Sequence, residues 1–129
     1  MRSEIRQDSK LFRELSRSLL AKGISIRFLV RGRSMFPAIR DGEAVLVEHK
    51  DVRKGDVLLV DTEDGLRLHR LQRCVDGKLI TQGDCCAEPE MSDGAAVLGR
   101  VYKVLGVKGA RSPHRFARYF HRLRDFLHP

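Results

Sequence analysis

Ser34 lies in the stretch RGRSMFPAIRDGE, residues 31–43, with Gly32 ahead of it and Pro37 behind. Glycine permits a tight turn and a close backbone approach, and proline stiffens the exit. A serine held there can offer its hydroxyl as a nucleophile and its own N–H to a developing oxyanion. Those are the two requirements of acyl transfer. The same surroundings suit an ordinary turn serine, so the reading depends on a partner base. His69, in LRLHRL, is the candidate, because an imidazole titrates near neutral pH. Alternation in this run sets Arg67, His69 and Leu71 on one face and Leu66, Leu68 and Arg70 on the other. A Ser–His pair is usually oriented by a carboxylate. Asp84, in TQGD, and Asp93, in MSDG, stand at strand ends from which either could approach the imidazole.

These residues need a scaffold that brings distant segments together. SKLFRELSRSLLAK, residues 9–22, sets Leu11, Phe12, Leu15, Leu19 and Leu20 at helical spacing, with Ser9 as N-cap and Gly23 as stop. Residues 24–30 alternate as a strand. Short apolar runs follow at 44–47, 56–60, 66–72, 78–80 and 95–107, set off by Asp-Gly or Lys-Gly pairs. Recurrent Asp-Gly between apolar runs is hairpin chemistry, so the middle of the chain reads as antiparallel β. The tail places Phe116, Tyr119, Phe120, Leu123, Phe126 and Leu127 at helical spacing among arginines, a basic amphipathic helix.

Size and composition agree with one small domain. The chain has 129 residues, 42% of them hydrophobic, and a formal net charge of +8. The charge favours anionic surfaces, either acidic lipid or nucleic acid. The basic residues are not interleaved with aromatics as in a sheet that stacks bases, so nucleic acid is not the expected partner. The three cysteines, Cys74, Cys85 and Cys86, are odd in number and lack CxxC spacing. That argues against a disulfide framework and against a structural zinc site. The N-terminus lacks a signal-peptide core, and no run approaches the roughly 18 apolar residues that span a bilayer. A cytoplasmic protein is expected, with peripheral contact to acidic membrane through residues 111–127.

Taken together, the ordered stretches resemble a known family. GRSMFPAIRDGEAVLVE is similar to the serine box of type I signal peptidases and the related SOS-repressor-type self-cleaving proteins. KGDVLLV resembles the strand that follows it, and LHRL resembles the His-Arg box of the eukaryotic and archaeal signal peptidase branch, which uses Ser/His instead of Ser/Lys. ITQGDCCAEPEMSDG resembles the Thr-Lys-Gly-Asp box of that branch, with Gln82 in place of the lysine, and LGRV its closing strand. The resemblance runs from about Phe28 to Val104. It implies Ser34 as nucleophile, His69 as general base, and Asp84 as the orienting carboxylate with Asp93 as second candidate. It also implies an extended peptide substrate with small side chains near the scissile bond. Gly32 and Met35 would line the substrate site, Met35 being equally suited to the core. No cofactor is required.

The expected architecture is mainly β: an N-terminal helix over 1–23, a coiled antiparallel catalytic domain over 24–108, and a basic C-terminal helix over 109–129. The expected function is a serine endopeptidase without a transmembrane helix. Two alternatives keep the fold. One is an accessory protein that processes or only binds a dedicated precursor (leader) peptide. The other is a repressor-like regulator, although one helix ahead of Ser34 is too little for a helix-turn-helix unit.

Overall fold

The computed structural model describes residue 7 and residues 9–114. The basic C-terminal helix expected from the sequence lies outside the described residues beyond His114. Helix α1 spans Lys10–Ala21, capped by the Ser9 hydroxyl, which accepts from the Phe12 N–H at 3.1 Å. It ends in a Schellman arrangement around Gly23 (φ +81°): the Gly23 N–H donates to Leu20 O and the Ile24 N–H to Leu19 O. The buried face differs from the expected leucine stripe. Leu20 and Ser16 are buried and Phe12 packs on Phe28, whereas Leu11 and Leu15 are exposed. Arg13 and Arg17 fix this rotation by binding Asp61 of the sheet, Arg13 Nε at 2.9 Å and Arg17 Nη2 at 3.3 Å.

The rest is one antiparallel sheet: β1 (Ile26–Leu29), β2 (Ala44–Glu48), β3 (Val57–Thr62), β4 (Gly65–Val75), β5 (Lys78–Gln82), β6 (Glu90–Asp93), β7 (Val97–Gly106) and β8 (Gly109–Arg111). Their spatial order is β1-β2-β7-β3-β4-β5-β6, with β8 also paired to β7. The mainly β, antiparallel reading is correct. The β4–β5 hairpin turns through Asp76-Gly77, both at positive φ (49° and 77°), the conformation that makes Asp-Gly a hairpin signal. Register shifts at Leu46/Val47, Leu59/Val60 and Leu71/Arg73 bend the sheet.

Two elements escaped the sequence. β6 consists of EMSD, too polar and too short to read as a strand, and it is held by pairing with β5. β8 pairs Gly109–Arg111 with Val104–Gly106, so the sheet runs past residue 108, where the domain was expected to end. Arg111 anchors this end: its Nη1 donates to Glu43 Oε2 at 2.7 Å and its Nη2 to Ala38 O at 2.8 Å. That hydrogen bond holds the Glu43 carboxyl below its ordinary range. Ala95 and Ala96, expected to begin the last long strand, instead belong to a single 3-10 turn, Gly94–Ala96.

Side chains are buried on both faces of the sheet's centre. Val57 and Leu59 join the main core with Phe28, Met35, Ile39 and Val104. Leu58 and Val60, the alternate residues of β3, join a smaller cluster with Leu71 and Leu79. This explains why DVLLV reads as a continuous apolar run and not as an alternation. Near its centre the sheet also relies on a close strand approach at Gly99. A Cβ there would stand 2.5 Å from Glu48 O and 2.9 Å from Val47 Cγ1. Backbone cannot yield as a flexible side chain can, so Gly99→Ala is expected to destabilise the fold by about 1–3 kcal/mol. Urea unfolding tests this, and an unchanged midpoint would refute it.

Candidate active site

Ser34 and His69 come from segments far apart in sequence and line one cavity of about 410 Å³. Gly32, Met35, Cys86 and Glu90 line it with them. The turn carrying Ser34 leaves β1 through Gly32, whose φ is +87° and whose N–H donates to Asp41 Oδ1 at 2.7 Å. It then passes through a cis Phe36–Pro37 bond. The guanidinium of Arg33 lies over the Phe36 ring at 4.9 Å. Met35 is 1% exposed within the main core and also borders the cavity.

The turn is pinned from the other side by the loop after β5. The Cys85 N–H donates to Ser34 O at 2.8 Å. Gly83 makes this approach possible, since a Cβ there would meet Ser34 O at 2.8 Å and Cys86 Sγ at 2.6 Å. Thus the Gly of TQGD has a packing reason that its sequence context does not reveal: it lets one backbone lie against another. Cys86 is half-buried, and burial, ahead of any neighbouring charge, pushes its thiol up.

His69 sits on β4 opposite Leu58 and is 5% exposed. Its strand is covered on both sides here, as Leu68, His69, Arg70 and Leu71 are all buried. Burial pushes the ring below its ordinary value near 6.5; Glu90 and Asp84 draw it back up, and Arg67 pushes it further down. The unfolded chain therefore binds the proton more readily. This site contributes stability that is present above pH ~6.5 and lost as pH falls through the folded value. A ring kept neutral at physiological pH is the form that can accept a proton. Among the described residues no hydrogen bond joins the Ser34 hydroxyl to the His69 ring; in free enzymes this contact often stays long until substrate tightens it.

The carboxylate at the imidazole is Glu90, not one of the two aspartates expected from the sequence. Glu90 Oε2 lies 3.5 Å from His69 Nδ1, and Glu90 Oε1 lies 3.6 Å from Arg67 Nη1. Asp84 acts on His69 only as a nearby charge. Both of its oxygens accept from Arg70, Oδ1 from Nε and Oδ2 from Nη2, each at 2.8 Å, with both side chains buried. Asp93 pairs with Lys78 on the exposed β5–β6 ladder and does not border the cavity. Glu90 was missed because its position depends on β6, whose register sets Glu90 opposite Thr81. The Thr81 hydroxyl is itself buried and has no hydrogen-bond partner among the described residues. Among those residues no group of three or more His, Cys, Asp or Glu side chains gathers to hold a metal ion, and no helix is long and apolar enough to cross a membrane.

A bent antiparallel sheet with a serine turn and a strand histidine on one cavity defines a peptidase-like β domain. The chain belongs to the Peptidase S24-like family, whose model matches residues 4–101. No curated protein matches the chain.

The geometry assigns Asp84 a structural role that can be measured. Asp84→Asn would leave the buried Arg70 guanidinium without its counter-charge, and the expected loss is about 3–5 kcal/mol of stability. Thermal or urea unfolding reads it; an Asp84→Asn variant as stable as the parent would contradict the assignment.

Proposed function

We propose that the protein is a serine endopeptidase of the signal-peptidase-like kind, acting on an extended peptide segment through Ser34 and His69. The observation that carries this reading is the shared cavity, bordered both by a serine on a pinned turn and by a buried histidine whose proton affinity is lowered. The Ser34 hydroxyl attacks the scissile carbonyl while His69 takes its proton, and the carbonyl oxygen becomes the oxyanion. His69 then passes the proton to the leaving amine, and water hydrolyses the acyl-enzyme. Glu90 steadies the imidazolium in the place first expected of Asp84 or Asp93. A preference for small side chains near the scissile bond follows from the resemblance, and Met35 borders the cavity where they would lie.

A second reading is the binding of a dedicated precursor peptide in the same cavity without cleavage. A repressor-like regulator is in keeping with the family, but His69 stands where self-cleaving repressors use lysine.

A fluorophosphonate separates hydrolase from binder: it is expected to label the wild type at Ser34, and labelling is expected to vanish in Ser34→Ala. Equal labelling of both proteins would end the nucleophile assignment. The labelling rate should fall as pH drops below His69's ordinary value near 6.5. Because Glu90 holds the ring's proton affinity up, Glu90→Gln should move this acid limb to lower pH. A limb that moves to higher pH would contradict Glu90 as the partner.

A further inference from the structure

Among the described residues β1 ends the sheet order, and one of its sides has no neighbouring strand there. Val30, just beyond β1, directs its backbone inward: its N–H donates to Glu43 O, and its O accepts from the Gly42 N–H, each at 2.8 Å. Peptide groups alternate along a strand, so Leu29 directs its own outward. Both of them are taken by one side chain. The Leu29 N–H donates to Gln7 Oε1 at 2.7 Å, and Gln7 Nε2 donates to Leu29 O at 2.6 Å. A carboxamide is chemically a peptide group. Exchanging both bonds with one residue is what a residue of an antiparallel strand would do. Gln7 also borders the cavity that holds Ser34 and His69, and Leu29, Val30, Arg31 and Gly32 continue that wall from the capped edge to the serine.

We propose that Gln7 is a displaceable stand-in for the main chain of a bound peptide. Leu29 is a docking point for an extended strand, and an incoming peptide must remove the Gln7 carboxamide to reach it. The proposal rests on the reading that the cavity takes an extended peptide, and it adds a built-in competitor to that site. An open strand edge invites unwanted pairing, and a side-chain cap blunts it. The cap is half-buried, its two bonds are exposed and both go to one residue, so displacing it costs little. A single peptide group would gain nothing by the exchange. A strand of several residues also reaches the outward backbone of Arg27, and so wins. The cap therefore selects for extended peptides over isolated polar groups.

The test uses the full-length chain carrying Ser34→Ala, so that nothing is cleaved, and a fluorescein-labelled decapeptide rich in Ala and Thr. Fluorescence polarisation reads affinity, and hydrogen exchange reads the Leu29 amide. Adding Gln7→Ala is expected to tighten peptide binding by about 3- to 10-fold, the scale of one net hydrogen bond in water. It should also speed exchange at Leu29 in the free protein, with protection restored by saturating peptide. Gln7→Glu keeps an acceptor for the Leu29 N–H and loses the donor, so its affinity should fall between the two. Equal or weaker binding after Gln7→Ala would overturn the proposal. Peptide that binds neither protein, or leaves the Leu29 amide unprotected, would do the same. Fluorophosphonate labelling is read separately. Tighter peptide binding without labelling removes the hydrolase and keeps the cap, whereas labelling with unchanged affinity removes the cap and keeps the hydrolase.

Discussion

The buried fork between Arg70 and Asp84 is the contact on which the site's geometry depends. Arg70 follows His69 on β4, and Asp84 precedes Cys85, whose N–H holds Ser34 O. One charged pair therefore connects the strand of His69 to the loop that pins the Ser34 turn. The planar guanidinium suits the task because two parallel bonds fix direction as well as distance. Its remaining donors reach Gly55 O at 2.9 Å and Pro113 O at 3.0 Å, tying in the turn before β3 and the chain beyond β8. A buried ion pair need not add net stability against an apolar replacement. Here its contribution is positional.

That division of labour gives each carboxylate its place. Asp84 is buried and satisfied by arginine, which leaves the imidazole to a carboxylate closer to water. Glu90 comes from the sheet's far edge, where its side chain is about two-fifths exposed. His69 sits in a covered strand while Glu90 reaches in from the rim. Burial lowers the ring's proton affinity and Glu90 partly restores it. The same rim carries Arg67 against Glu90, so the charge facing the cavity is mixed. At the opposite wall, β1 has its outward peptide group occupied by Gln7. The cavity thus joins two edges of one sheet, with the serine turn spanning between them.

By itself, the sequence determined the local elements and singled out Ser34 and His69 as the candidate site residues. The Asp-Gly turns, the apolar runs, the Ser9 cap and the Gly23 stop all act within a few residues, where spacing and conformational preference suffice. The placement of Ser34 on a glycine-led turn and of His69 within a strand followed from the same local logic. Only the tertiary structure decided which carboxylate meets the imidazole, which face of α1 is buried, and where the sheet ends. Those choices depend on pairings between distant segments: Glu90 through the β5–β6 register, α1 through Asp61, and Arg111 through Glu43. An aspartate in a Gly-Asp turn carries the same local signal whether it faces arginine or histidine. Its partner is settled only when burial forces every charged group to find the nearest opposite one.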